Sequence, residues 1–112
     1  MKIEGAQQLL RIFINESDTW VGHPLYKVIV EMLRKAHMAG CTVVRGVEGY
    51  GTSRQMHDAR YEALFLDLPV IIEVVDTEAR INEIIPELDK MIKVGMITLE
   101  AMDVKMYRAE GD

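Results

Sequence analysis

Ser17, Asp18 and His23 stand close together near the start of the chain, and a hydroxyl, a carboxylate and an imidazole are the groups of a hydrolytic nucleophile with its base. No glycine-flanked nucleophile elbow surrounds Ser17, so a turn capped by Ser17 or Asp18 is the simpler reading. Cys41 is the single cysteine, and His37 lies one turn upstream of it. A thiol beside an imidazole could act as a nucleophile, whereas a buried thiol behaves as a small apolar residue. The histidines His23, His37 and His57 show neither an HxxxH nor a CxxC spacing, which predicts no metal site. Trp20 falls outside any helical stripe and is assigned to packing or an interface, with ligand stacking as the alternative. The stretch Gly49-Tyr50-Gly51 precedes Arg54, His57 and Arg60, a locally basic run. Such a run is either an ordinary solvated surface or a contact for an anionic ligand or an acidic partner.

These groups sit in a chain of 112 residues, the length of one domain, and residues 1–112 are read as a single unit. With 49% apolar and 28% charged residues the composition is that of a globular protein. Thirteen basic against eighteen acidic residues give a net charge of −5, which opposes bulk-charge binding of nucleic acid. A lone cysteine excludes an internal disulfide framework and fits a reducing compartment. The opening Met-Lys-Ile-Glu-Gly lacks a signal-peptide core, and no apolar run is long enough for a membrane span, so the protein is expected in the cytoplasm without direct membrane insertion.

The elements follow from periodicity. Leu9 to Ile14 alternates as a strand. Pro24 is expected as the first residue of a helix, whose stripe is Leu25, Val28, Ile29, Met32, Leu33 and Ala36, and Gly40 is expected to supply its left-handed stop. Thr42 to Val47 reads as the second strand, and Thr52 to Ala59 as an unusually long loop. Tyr61 to Leu66 could be extended, and Val70 to Val75 is the third strand. Asp76 or Thr77 caps a second helix with the stripe Ile81, Ile84, Ile85, Leu88, Met91 and Ile92, bent at Pro86 and ending at Gly95. The fourth strand is expected from about Glu100 to Tyr107. The order βαββαβ predicts a ferredoxin-like α+β sandwich: a four-stranded antiparallel sheet with two helices on one face.

Alternation assigns Leu10, Ile12, Ile14, Ile72, Val74, Met102, Val104 and Met106 to the helix side. The other face would carry Leu9, Arg11, Phe13, Val43, Arg45, Val47, Ile71, Glu73, Val75, Asp103, Lys105 and Tyr107, a surface too apolar to stay open. Subunit contact is its expected use, with Arg11, Phe13, Arg45, Glu73, Val75 and Lys105 at the interface and Arg11 or Arg45 paired with Glu73.

With the elements placed, the chain resembles PII-type signalling proteins, and most specifically the PII-like group known as domain of unknown function 190. The resemblance rests on Leu10-Arg11-Ile12-Phe13-Ile14 with Glu16-Ser17-Asp18 and Trp20, and on Gly22-His23-Pro24-Leu25-Tyr26. Ala39-Gly40-Cys41-Thr42-Val43, Arg45-Gly46, Gly49-Tyr50-Gly51, Asp67-Leu68-Pro69-Val70 and Glu73-Val74-Val75-Asp76 complete it. It implies a non-enzymatic regulatory homotrimer that binds a small anionic metabolite, such as an adenine nucleotide, in clefts between subunits. The long loop would then meet a protein partner, such as a membrane transporter or an enzyme. By position, the implied ligand residues are Thr42, Gly49, Tyr50 and Gly51, joined by the basic Arg54, Arg60 and Lys93. The partner loop would comprise Thr52, Ser53, Arg54, Gln55, Met56 and His57. The stretch Lys93 to Thr98 differs from the glycine- and lysine-rich phosphate loop of PII proteins, which keeps a smaller anion open as the ligand. No cofactor is implied. The rival functions are a small enzyme using Cys41 and His37, and a nucleic-acid-binding sheet. Against the second, the open face offers Phe13 without a paired aromatic platform.

Overall fold

A computed structural model describes residues 3–50, 57–58 and 67–110. The elements are β1 (Gly5–Asn15), β2 (Thr19–Trp20), β3 (His23–Pro24), α1 (Leu25–Lys35), β4 (Thr42–Arg45), β5 (Glu48–Gly49), β6 (His57–Asp58), β7 (Pro69–Asp76), α2 (Glu78–Met91) and β8 (Met96–Val104). The main sheet has the order β4-β7-β1-β8, and all its pairings are antiparallel. Leu10, Ile12 and Ile14 of β1 and Val70, Ile72 and Val74 of β7 form one core with Leu25, Ile29 and Leu33 of α1 and Ile81, Ile84 and Leu88 of α2. Those six strand residues share one parity, so both helices cover the same face. The fold is the ferredoxin-like α+β sandwich expected from the element order.

The helix ends show how the chain enforces this packing. Thr77 caps α2, its hydroxyl accepting from the Arg80 N–H at 3.2 Å, and Asp76 is left for another use. The helix continues through Pro86 to Met91. At the end of α1 the His37 N–H bonds to the Arg34 carbonyl and the Met38 N–H to the Leu33 carbonyl, the paired bonds of a left-handed helix stop. The left-handed residue is His37, at φ 60°, three positions before the glycine expected there. Pro24 is the residue before the helix rather than its first turn: its ψ of 123° is extended because it pairs with Thr19 in the β2–β3 ribbon. The tip of that ribbon, Val21-Gly22, has positive φ at both residues, which matches the strand twist but is costly for a β-branched side chain.

Strand bounds differ from expectation, and β1 already begins at Gly5 rather than Leu9. β8 begins at Met96, not near Glu100, because Met96 to Thr98 pair with Phe13 to Arg11, and it ends at Val104 rather than Tyr107. Gly95 makes that start possible, since a Cβ there would lie 2.6 Å from the Phe13 carbonyl oxygen. β4 stops at Arg45, after which Gly46 still donates to the Pro69 carbonyl at 2.7 Å. Within the expected long loop, His57–Asp58 pair with Glu48–Gly49; the rest of that loop, and the expected extended stretch Tyr61 to Leu66, lie outside the described residues.

Candidate ligand cleft and loop root

On the face without helices, cross-strand alignment sets the residues in rows. Thr42, Glu73, Arg11 and Thr98 form one row, and Val44, Ile71, Phe13 and Met96 the next. Arg11 Nε donates to Glu73 Oε2 at 2.8 Å, and Glu100 Oε1 lies 3.8 Å from the same guanidinium. The Glu73 carboxylate, through that hydrogen bond first, holds Arg11 still more firmly in its charged form. Register corrects two strands of the predicted face. Val43 and Arg45 align with Ile72 and Val70, on the helix side, and Arg45 pairs with Glu16 rather than Glu73. Met102 aligns with Gln7 and Val104 with Gly5, which puts both on the open side, and Asp103 takes the helix side. In both strands apolar residues occupy both parities, so alternation alone does not choose a face.

Lys105 lies beyond β8 and pairs with Asp103 at 2.7 Å. Phe13 and Val75 are half-buried on the open face.

At the end of this face nearest the α1 terminus lies a cleft of about 580 Å³. Leu9, Val75, Met102 and Val104 make its apolar floor, Arg11 and Glu73 its charged corner, and the backbone from Ala39 to Thr42 one rim. Ile3 and Tyr107 also line it, and the Tyr107 hydroxyl donates to the Ala39 carbonyl of the rim at 2.9 Å. The rim is fixed from behind by Asp76, a fully buried carboxylate. Its oxygens accept from the Ala39 N–H at 2.8 Å, the Thr77 N–H at 2.7 Å and Arg80 Nε at 3.0 Å, while Arg80 also reaches the carbonyls of Ala36 and His37. One carboxylate thereby ties the end of α1, the start of α2 and the cleft rim together. Sequence reading noticed Asp76 only as a possible cap, and no local pattern signals its contact with Ala39.

The described residues that flank the expected long loop lie at the other end of the sheet. Gly46 and Gly49 pack on Pro69, where an added Cβ would come to 3.0 and 3.3 Å of its Cγ. The chain re-entering β7 is held by the β1–β2 turn: Glu16 N–H donates to the Leu68 carbonyl and Ser17 N–H to Asp67 Oδ1. Of the ligand residues implied by resemblance, Thr42 lines the cleft and Gly49 lies in the loop root beside an exposed Tyr50. Lys93 is exposed between α2 and β8, across β7 and β1 from Gly49. Gly51, Arg54 and Arg60, the partner-loop residues Thr52, Ser53, Gln55 and Met56, and the side chain of His57 lie outside the described residues. One chain therefore does not gather Thr42, Gly49 and Lys93 into a single pocket.

The groups of the first enzymatic constellation are engaged in local structure. Asp18 turns its carboxylate to the Asn15 N–H at 2.9 Å, and His23 is engaged in the β2–β3 ribbon. His37 and Cys41 line a common recess of about 360 Å³, but burial pushes the Cys41 thiol pKa up, the wrong direction for a nucleophile at neutral pH. Trp20 packs half-buried against the core. Among the described residues no group of three or more His, Cys, Asp or Glu could hold a metal, and no helix is long and apolar enough to cross a membrane.

The chain belongs to the DUF190 family, whose model, described as Uncharacterized ACR, matches residues 7–104. A UPF0166 protein of Aquifex aeolicus is 35% identical over 98 residues, covering 88% of this chain and 92% of that protein. One from Methanocaldococcus jannaschii is 36% identical over 104 residues, covering 92% and 94%. The fold is similar to that of CPII, a nitrogen regulatory PII-like protein from Thiomonas intermedia K12 solved bound to ADP, AMP and bicarbonate, with a TM-score of 0.72, 14% identity and 90% of each chain covered. A second structure of CPII, bound to ADP and bicarbonate, gives a TM-score of 0.67 at 16% identity, again covering 90% of each chain.

Proposed function

We propose that this protein is a PII-like regulatory protein without catalytic activity, a homotrimer working in the cytoplasm that binds a small anionic ligand in clefts between subunits. The observation that carries this reading is the cleft on the open sheet face. It combines an apolar floor, the Arg11–Glu73 pair and a backbone rim, and the apolar row beside it, with Phe13 and Ile71 half-buried and Val44 and Met96 exposed, calls for a neighbouring protomer. A flat heteroaromatic ring suits the floor, and the ADP and AMP bound by the structurally similar CPII favour an adenine nucleotide, with bicarbonate as the smaller anion. Lys93, just before β8 at the end of the sheet away from the cleft, would reach the cleft only from a neighbouring subunit. Arg54 and Arg60 would add positive charge from the loop, whose segment Thr52 to His57 would present the bound state to a partner protein such as a transporter or enzyme. Packing of Phe13, Val75 and Ile71 around the Arg11–Glu73 pair would hold the trimer together, with Arg45 and Lys105 at its margins.

Two measurements test this. Light scattering should report three chains per particle at micromolar concentration, and a single chain would remove the intersubunit clefts. Thermal-shift titration with AMP, ADP, ATP and bicarbonate should raise Tm with concentration, since a ligand at a hundred times its Kd adds about 2.7 kcal/mol to stability. No response to any of the four would overturn the ligand assignment.

A further inference from the structure

Between α1 and β4 the chain reads His37-Met38-Ala39-Gly40-Cys41, which sets an imidazole, a thioether and a thiol within five residues. His37, Met38 and Cys41 line one recess of about 360 Å³, with Val30 and Leu33 as its apolar side. Met38 and Cys41 are half-buried and His37 is exposed. The turn that gathers them is fixed by the protein itself. His37 takes a left-handed backbone at φ 60°, which is uncommon for a residue other than glycine. The carbonyls of Ala36 and His37 accept from Arg80, and the Ala39 N–H donates to the buried Asp76 carboxylate at 2.8 Å.

The donor set narrows the ligand. Zinc and harder ions take cysteine, histidine and carboxylate or carbonyl oxygen, whereas thioether sulfur goes with copper(I). His37 and Cys41 alone are two ligands, too few for the four that zinc usually takes. No carboxylate lines the recess, and Arg34, the lining residue with a permanent charge, is engaged by the Glu31 carboxylate at 3.0 and 2.5 Å. A bare thiolate is poorly solvated in such a place, and burial pushes the Cys41 pKa up. A monovalent ion on that thiolate makes a neutral pair, which an apolar recess accepts. A divalent ion would leave a net positive charge there.

We propose that His37, Met38 and Cys41 form a site for a soft monovalent metal ion of the copper(I) type. Cys41 Sγ is the anionic ligand, and Met38 Sδ and a ring nitrogen of His37 are the neutral ones. The ion enters without change of oxidation state: as the sulfur–metal bond forms, the thiol proton passes to solvent. The rotatable bonds of Met38 let its sulfur settle on the ion while the backbone stays in place. The recess backs onto the rim of the cleft, since Gly40 and Cys41 line both, but the site does not depend on the cleft ligand proposed above.

Anaerobic titration of the full chain with the acetonitrile complex of copper(I), in competition with a chromogenic copper(I) chelator, tests the site. The wild type should hold one ion per chain, show an ultraviolet thiolate-to-copper band and shield Cys41 from iodoacetamide. Cys41→Ala should lose the band. Met38→Leu keeps the apolar bulk, and His37→Asn keeps a residue that tolerates the left-handed backbone. Loss of an outer partner alone costs a metal site about 10- to 100-fold in affinity, so each of these two variants should bind at least roughly tenfold more weakly. Circular dichroism checks that the variants are folded, and Met38→Leu decides the outcome should Cys41→Ala fail to fold. Wild-type protein that holds no copper against the chelator would overturn the site. Equal affinity in the wild type, Met38→Leu and His37→Asn would show the thiol binding alone and would overturn it as well, as would zinc(II) displacing copper(I) at equal concentration.

Discussion

Leu9 and Leu10 are neighbours on β1, 6% and 0% exposed, yet they are buried by different means. Leu10 lies under two helices delivered by the crossovers that follow β1 and β7, each helix presenting a stripe at helical spacing. Leu9 lies on the face with no helix, and its cleft is bounded by Ile3 and Tyr107 from the two ends of the chain. One face is thus closed by long elements with many contacts, and the other by two side chains and a few hydrogen bonds. The closed face carries stability. The open face keeps Phe13, Ile71 and Val44 partly exposed in a single chain.

The contrast can be broken most severely at β7. Ile72→Ala, on the covered face, should cost about 4 kcal/mol in urea unfolding, whereas Ile71→Ala beside it should cost well under half as much at dilutions where chains are separate. Equal losses would mean that the open face is already packed in one chain. Asp76→Ala removes the acceptor of two backbone N–H groups and leaves Arg80 without its carboxylate partner. A loss of about 3 kcal/mol is expected, together with faster amide exchange at Ala39 and Thr77. Gly95→Ala forces a Cβ against the Phe13 carbonyl and should cost about 2 kcal/mol, read as a lower Tm. At the β2–β3 tip, Val21→Asn should stabilise by about 1 kcal/mol, because asparagine tolerates the left-handed backbone that valine resists. The last test concerns reactivity rather than folding. With its pKa raised by burial, Cys41 holds its proton to higher pH than an ordinary thiol, so alkylation by iodoacetamide should be slower than that of a free thiol at neutral pH and should rise with pH. A fast, pH-independent reaction at neutrality would restore the nucleophile reading.

How much of this was legible in the chain depends on how local the cause is. The stripes Leu25-Ile29-Leu33 and Ile81-Ile84-Leu88 announce which side of each helix is buried, and the alternation in β1 and β7 marks the covered face, because each pattern is set by the geometry of its own element. The residues of the cleft were only partly found. Leu9, Arg11, Glu73, Val75 and Tyr107 were grouped as one open face and Thr42 was implied as a ligand residue, while Ile3 was not singled out and Met102 and Val104 were assigned to the other face. Their meeting depends on contacts between distant parts of the chain, such as the Tyr107 hydroxyl on the Ala39 carbonyl, and leaves no mark in a local window.

The amino-acid order therefore determined the elements, the helix-covered side of the two central strands and the family. Tertiary structure alone decided which way the edge strands β4 and β8 face, and that Asp76 and Tyr107 are the two fasteners of the cleft. The physical reason is the same in both cases. Thr42-Val43-Val44-Arg45 and Leu99-Glu100-Ala101-Met102 satisfy either register on their own, and only hydrogen bonding to a neighbouring strand selects one.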